Sequence, residues 1–299
     1  MESIATLITA LKTPFTKAGD IDFVAFERLL LRQCASGVSG FVIAGTTGDG
    51  CFLSGEEQLE LIRIARACAG EKAMVIGATS YLETREMIKR TTKGFEAGIS
   101  ASLLLPPYYI RPGMEAILDY FIAALDIGPG IIYNVPHRTG VDVGAEEILK
   151  LSTHKNFLGV KECTGLERSQ EHHRNGIRVW SGNDASAEKE VRSGAAFGVI
   201  SVVSNLTPQT AGQLFFQEKT TTTAPLETFI TQLNGFPNPV GISTAMAMVG
   251  LVEAVLWRPY KIVEAAAQEK MLPQLKQLAT QELDFQTPHE VSEKDWVLI

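Results

Sequence analysis

Between residues 3 and 205 the chain alternates short apolar runs with amphipathic stretches, eight times over. The runs are SIATLITAL (3–11), GFVIAG (40–45), AMVIGAT (73–79), ASLLLPP (101–107), GIIYNVP (130–136), FLGVKEC (157–163), RVWSGND (178–184) and AFGVISVVSN (196–205). Most are near-continuously apolar, the pattern of strands buried on both faces of a parallel sheet. The intervening stretches have helical spacing. In DFVAFERLLLRQCASG the apolar residues Phe23, Phe26, Leu29, Leu30 and Cys34 recur on one face, and Gly37 closes the segment. SGEEQLELIRIARACAG opens with Ser54 and Glu57 at capping-box spacing and stops at Gly70. ETREMIKRTTKGFEAG and GMEAILDYFIAALDIG follow the same plan.

Eight such pairs in roughly 215 residues predict a (β/α)8 TIM barrel. The competing architecture is a doubly wound open sheet. It would carry a glycine-rich phosphate loop after its first strand, and TALKTPFTKAGD is not one. After residue 218 the strand signal stops, and Pro237, Pro239, Pro259 and Pro273 punctuate helical or loop-like sequence. The expected organisation is a barrel domain over 1–219 and a C-terminal helical extension over 220–299, with TTTT (220–223) as a polar connection.

Composition narrows the partners. A net charge of −7 without a Lys/Arg cluster argues against a nucleic-acid or anionic membrane surface. No apolar run approaches the roughly 20 residues of a membrane span. Met1-Glu2-Ser3 leads straight into the first apolar run, so no secretory signal is expected. The cysteines, Cys34, Cys51, Cys68 and Cys163, form no C-x-x-C pair and no zinc spacing with the five histidines. A reducing, cytoplasmic compartment and no metal are expected. The His172-His173 pair sits in a polar stretch and reads as solvated surface.

Barrel chemistry collects at the carboxyl ends of the strands. There the sequence places Thr46 and Thr47 in GTTGDG, Tyr108 and Tyr109 in PPYYIRPG, Tyr133 with Arg138 in YNVPHRTG, and Lys161 in GVKECTG. A lysine inside an apolar strand is unusual. Strand alternation puts Gly159, Lys161 and Cys163 on one face and Val160 on the other, so Lys161 points into the barrel if Val160 packs outward. Desolvation there favours the neutral amine, a nucleophile able to form a Schiff base, and Gly159 is expected to leave it room. The alternative is a lysine paired with a core carboxylate. Tyr133 is either a proton carrier beside an imine or a core tyrosine. Arg138 is either a carboxylate clamp or a surface charge. The glycine turn around Thr46 and Thr47 is either an anion nest or a bare turn, and Tyr108-Tyr109 is either catalytic or interfacial.

Together GTTGDG, PPYYIRP, YNVPHRTG, GVKECTG, SGNDASA and GVISVVSN, in this order and spacing, resemble the dihydrodipicolinate synthase family of class I pyruvate-dependent aldolases and lyases. The resemblance covers the whole barrel, and PNPVGISTAMAMVG matches more loosely. It implies a lyase that condenses pyruvate with L-aspartate-4-semialdehyde to 4-hydroxy-tetrahydrodipicolinate, in diaminopimelate and lysine biosynthesis. Lys161 would form the Schiff base and Tyr133 would carry protons. Thr46 and Tyr109 would complete a relay, with Tyr109 coming from a neighbouring subunit of a homotetramer built as a dimer of dimers. Thr47 and the backbone at Ile200 would hold the pyruvate carboxylate, and Arg138 the carboxylate of the aldehyde. No metal or organic cofactor is implied. The alternatives are a sister aldolase, acting on N-acetylneuraminate or a keto-deoxy sugar acid, and a catalytically silent barrel. Asp49 replaces a commoner glutamate, His137 a small serine, and GISTA lacks a lysine common in bacterial members. With SGND and the NPVGISTAMAMVG stretch, the chain resembles the plant-type branch more closely. The family's lysine-inhibition site would fall on Gly50, Cys51, Gly55, Gln58, Leu82, Glu86 and Tyr108. Gly55 and Leu82 lack the usual contacts, so weak or absent inhibition by L-lysine is expected.

Overall fold

Each of the eight apolar runs contains a strand, and every strand is shorter than its run. The computed structural model describes residues 6–71, 73–217, 222–282 and 285–299. The expected domain boundary at 219/220 and the first residues of the first run lie outside the described residues. The strands are β1 (Thr6–Ala10), β2 (Gly40–Ile43), β3 (Met74–Ala78), β4 (Ala101–Leu104), β5 (Gly130–Asn134), β6 (Phe157–Glu162), β7 (Val179–Ser181) and β8 (Gly198–Ser201). They pair in parallel and in chain order, and β8 closes on β1. The surplus apolar residues at the strand ends go into loops. β4 stops just before Leu105-Pro106-Pro107, where the prolines lack the N–H that a ladder needs. The last run bends into a 3₁₀ turn at Val203–Asn205.

Around the strands run α1 (Phe23–Ala35), α2 (Gly55–Ala69), α3 (Thr84–Ala97), α4 (Met114–Leu125), the single turn α5 (Pro136–Thr139), α6 (Ala145–Leu151), α7 (Leu166–Arg174), α8 (Asp184–Arg192) and α9 (Pro208–Phe216). On α1 the stripe Phe26, Leu29 and Leu30 is buried, while Phe23 is 39% exposed and Cys34 only half-buried. The α2 capping box forms as expected: the Glu57 amide donates to Ser54 Oγ at 3.2 Å and the Ser54 amide to Glu57 Oε2 at 2.7 Å. Such a cap stabilises a helix by about 1 kcal/mol.

Strand alternation sorts side chains into two layers. Ile8, Ala10, Val42, Ile76, Leu103, Ile131, Tyr133, Trp180 and Ile200 fill the barrel. Ile132, Val160 and Val179 pack outward against Ile117 and Phe121 of α4 and Ile148 of α6. Val160 therefore faces the helices and Lys161 the interior.

After residue 222 come α10 (Ala224–Leu233), α11 (Val240–Met248) and α12 (Ala265–Ala279). Phe229, Met246 and Leu275 from these helices share one apolar cluster with Leu7, Phe26 and Phe41 of the barrel. Two readings need correction. Strand structure returns, as β9 (Val255–Leu256) paired in parallel with β10 (Val297–Leu298). Pairs this short leave no periodic trace. Pro273 lies inside α12 instead of ending it, on a helix held by buried Met271, Leu275 and Leu278. Tertiary packing overrides the local propensity there.

Candidate active site

The pairing of β5 with β6 contains an irregularity that builds the site. Gly130 pairs with Phe157, but Ile131 pairs with Gly159, so one residue is extra on β6. Beyond this bulge Tyr133 lies beside Lys161 and Asn134 beside Glu162. Without the extra residue, Val160 would stand opposite Tyr133, because a one-residue slip exchanges the faces of a strand. Gly159 makes the bulge possible. Its φ is +147°, and a Cβ there would run into the Arg178 carbonyl oxygen and lie 2.9 Å from the Trp180 ring. The expected room for Lys161 is thus not at Gly159. It is at Gly182, just past β7, where a Cβ would strike Cys163 Sγ and lie 2.9 Å from Lys161 Cε.

Lys161 is 5% exposed and Tyr133 7%. The Lys161 Nζ sits 4.2 Å from the centre of the Tyr133 ring. Burial lowers the Lys161 pKa below that of an ordinary lysine; Cys163 and Asp184 oppose the shift and the Arg138 charge adds to it. Burial raises the Tyr133 hydroxyl well above its usual value, with Cys163 adding and Arg138 and Thr46 opposing. The structure therefore pairs an amine poised towards its neutral form with a phenol that stays protonated.

A cavity of about 280 Å³ opens over this pair. Its walls include Thr46, Thr47, Tyr133, Arg138 and Lys161, five of the seven residues expected from the sequence, together with Asn183, Asp184 and Asn238. Ile200 belongs to the inner layer of the barrel, and Val202 rather than Ile200 forms the wall on the β8 side. Tyr109 is outside the wall, 86% exposed and in a left-handed conformation with φ 64°.

The turn carrying Thr46 and Thr47 is tightly wound. The amides of Asp49 and Gly50 donate to the carbonyls of Thr46 and Gly45, so these two close the turn on itself. The Asp49 carboxylate forms a buried ion pair with Lys12. Thr47 Oγ1 accepts a hydrogen bond from Asn238 Nδ2 at 3.0 Å, which ties the turn to the C-terminal region. Arg138 stands exposed at the mouth, on α5.

Behind the site a buried polar network locks β5 to β6. Glu162, 1% exposed, accepts the amides of Cys163 and Thr164 at 2.8 Å and Asn134 Nδ2 at 3.1 Å. It also pairs with His172 Nε2 at 3.1 Å. Asn134 further donates to Asp142, which pairs with Arg168. His172 is thus fully buried, contrary to the surface reading, while His173 is exposed. The polar sequence around His172 hides a partner ten residues away on another element.

Two positions in the SGND segment, which the sequence puts at the end of the seventh strand, carry roles that the sequence did not assign. Gly182 gives no local signal. Asp184 does: it is an acidic residue that opens a helix directly after a strand end. Its Oδ2 accepts the amides of Val202 and Val203 at 3.0 and 2.8 Å, and its buried Oδ1 has no hydrogen-bond partner.

A second cavity, about 350 Å³, adjoins Thr46, Tyr133 and Arg138 from the side of Gly50, Cys51, Tyr81, Tyr108 and Tyr260. Of the positions considered for lysine inhibition, Gly50, Cys51 and Tyr108 line it. Gly55, Gln58 and Glu86 line a separate small pocket, and Leu82 lines neither. All four cysteines are free thiols. Among the described residues no group of three or more His, Cys, Asp or Glu could hold a metal ion. No described helix is long and apolar enough to cross a membrane.

Comparison with known proteins places this geometry. Residues 3–278 match the family model described as the Dihydrodipicolinate synthetase family. The chloroplastic 4-hydroxy-tetrahydrodipicolinate synthase 2 of Triticum aestivum is 38% identical over 292 residues, covering 93% of this chain and 78% of that protein. The chloroplastic synthase of Glycine max is 40% identical over 255 residues, covering 85% and 77%. Among solved structures, the dihydrodipicolinate synthase of Acinetobacter baumannii in complex with pyruvate superposes with a TM-score of 0.86 at 28% identity, covering 92% of this chain and 99% of that one. The lysine-bound enzyme of Cyanidioschyzon merolae gives 0.85 at 26% identity, covering 93% and 99%. An eight-stranded parallel barrel with a buried lysine against a tyrosine at its mouth, matched along almost its whole length, belongs to the dihydrodipicolinate synthetase family.

Proposed function

We propose that the protein is a lyase that condenses pyruvate with L-aspartate-4-semialdehyde to give 4-hydroxy-tetrahydrodipicolinate, the reaction named for its relatives. The observation that carries this reading is Lys161, buried, depressed in pKa and set against Tyr133 in the cavity of about 280 Å³. In its neutral form Lys161 Nζ attacks C2 of pyruvate and water leaves. The protonated imine then withdraws electrons, so a methyl proton departs and an enamine forms. The enamine carbon attacks the aldehyde, and the substrate amine displaces Lys161 as the product ring closes. Tyr133 ferries protons through these steps. Thr46 and a partner subunit's copy of Tyr109 extend the relay. Thr47 and the backbone at Ile200 hold the pyruvate carboxylate. The lysine itself supplies the electrophile, so the reaction calls for no metal or organic cofactor.

Arg138 selects the second substrate through its carboxylate. Arg138→Ala is expected to raise the KM for the aldehyde about tenfold to a hundredfold, the scale of a lost charge-assisted hydrogen bond. Pyruvate capture should stay close to that of the parent. An equal loss in pyruvate capture alone would remove Arg138 from aldehyde selection. The reading as a whole is tested by assaying three reactions side by side: condensation of pyruvate with aspartate semialdehyde, and cleavage of N-acetylneuraminate and of keto-deoxygluconate. Preference for either sugar acid would move the protein to a sister activity.

The proposed assembly is a homotetramer of two tight dimers. Tyr81 and Tyr108 line the second cavity and are 43% and 40% exposed, and Tyr109 and Ile110, next in the chain after Tyr108, are 86% and 55% exposed, which supports an apolar contact between subunits. Sedimentation with activity measured across the same dilution series checks it; a fully active monomer would exclude a partner's tyrosine from the relay. Four free thiols fit a reducing compartment, cytoplasmic in this reading; the Triticum aestivum and Glycine max relatives are named chloroplastic.

A further inference from the structure

We infer that Asp184 is a positioning residue, the fixed counter-charge that keeps the imine nitrogen on Lys161 protonated. The inference rests on the Schiff-base reading of Lys161.

Asp184 and Lys161 line the same cavity. Asp184 is the first residue of α8, so its carboxylate sits where the helix dipole favours an anion. One oxygen is held rigidly by the two β8-side amides of Val202 and Val203. The other is buried with no partner. A buried carboxylate oxygen left unpaired is costly, and a nearby cation offsets that cost. Gly182, two residues earlier, lets the Lys161 stem lie against this wall.

Among the described residues, Lys161 lies over the Tyr133 ring and feels the charges of Cys163, Arg138 and Asp184. Tyr133 on β5 stays neutral because burial raises its hydroxyl well above the usual value. Cys163, just past β6, stays neutral because burial pushes its thiol up to about 11. Arg138 on α5 is a cation and opposes positive charge on the nitrogen. Asp184 on α8 is the one carboxylate among them, and it favours the charged nitrogen. Burial raises its carboxyl above the usual value, and the Val203 amide, the Ser201 hydroxyl, the Val202 amide and the Lys161 charge oppose that rise and favour the anion.

The chemistry needs that charge. Nζ bonds to C2 of pyruvate, the carbonyl oxygen leaves as water, and the C=N nitrogen keeps one proton and a positive charge. When a C3 proton leaves, its electron pair forms C2=C3 and the C=N pair returns to nitrogen, which becomes neutral. An unprotonated imine accepts that pair poorly. Asp184 thus sets the fraction of imine that can go forward.

The test is the pH profile of inactivation by pyruvate plus cyanoborohydride, read as adduct mass on Lys161, alongside the pH profile of kcat. Asp184→Asn keeps an oxygen for the two amides and removes the charge. Both limbs of the trapping profile are expected to move to lower pH by about one unit, the low end of the effect of a neighbouring opposite charge. The rising limb reports deprotonation of the amine and the falling limb protonation of the imine, and loss of an anion lowers both. The alkaline limb of kcat should move in the same direction, with the KM for the aldehyde unchanged. Profiles that superpose on those of a trapped parent overturn this inference alone. A parent that pyruvate does not trap overturns the Schiff-base reading and this inference with it. If Asp184→Asn does not fold, Asp184→Ser takes its place. If neither folds, Asp184 is a structural cap and the inference fails.

Discussion

Lys161→Ala is expected to lower turnover by more than about 10⁴-fold, the scale on which loss of a covalent nucleophile leaves only binding and electrostatics. Pyruvate with borohydride should add a pyruvate-derived mass to Lys161 in the parent and nothing to the variant. The physical basis is the burial of the amine, which lowers its pKa and makes the neutral nucleophile available closer to neutrality than in an exposed lysine. The same burial has a stability consequence whose sign is fixed. The folded-state pKa lies below the unfolded value, so the folded chain binds fewer protons between the two. Lys161 therefore destabilises the fold as pH drops through that window. Lys161→Met, which keeps much of the volume without the charge, should be inactive and melt no lower than the parent at neutral pH, the usual exchange of stability for activity at a catalytic position. Peptide mapping that finds the adduct on another lysine would falsify the assignment.

Tyr133→Phe is expected to slow turnover about 10²-fold or more, the range for loss of a positioned proton carrier. The ring remains, so the surface 4.2 Å beneath Lys161 Nζ is preserved and pyruvate trapping should persist in large part. What disappears is the hydroxyl beside Thr46 and Cys163. Its raised pKa keeps it protonated at neutral pH, which suits a group that donates and recovers a proton within one cycle. The variant should melt close to the parent, because the aromatic packing of the inner layer is retained. A kcat equal to that of the parent would reduce Tyr133 to a packing role.

The two substitutions divide the chemistry: the first removes the covalent step, the second spares it and removes proton transfer. If Lys161→Ala is dead while Tyr133→Phe still accumulates adduct, the order of events is capture first and proton shuttling second. Asp184→Asn then falls between them, acting on the protonation of a bond already formed.

The barrel could be read from the chain because a strand buried on both faces needs apolar residues at nearly every position. Runs such as GFVIAG and GIIYNVP satisfy that locally. Alternation along β6 was enough to send Val160 outward and Lys161 inward, because successive side chains of a strand point to opposite faces. The cap at Ser54 and Glu57 was legible for the same reason, being complete within four residues. The rest depended on contacts between residues far apart in the chain. The bulge that aligns Lys161 with Tyr133 is accommodated where Gly159 passes against Trp180 of β7 and Arg178 just before it. Room for the lysine comes from Gly182, burial of His172 from Glu162, and the pinning of Asp184 from amides on the far side of β8. Periodicity reports how each segment meets its own surroundings, on average. It carries no information about which backbone atom of another segment comes within a few ångströms, and it is that approach which aligns the catalytic pair and clears its cavity.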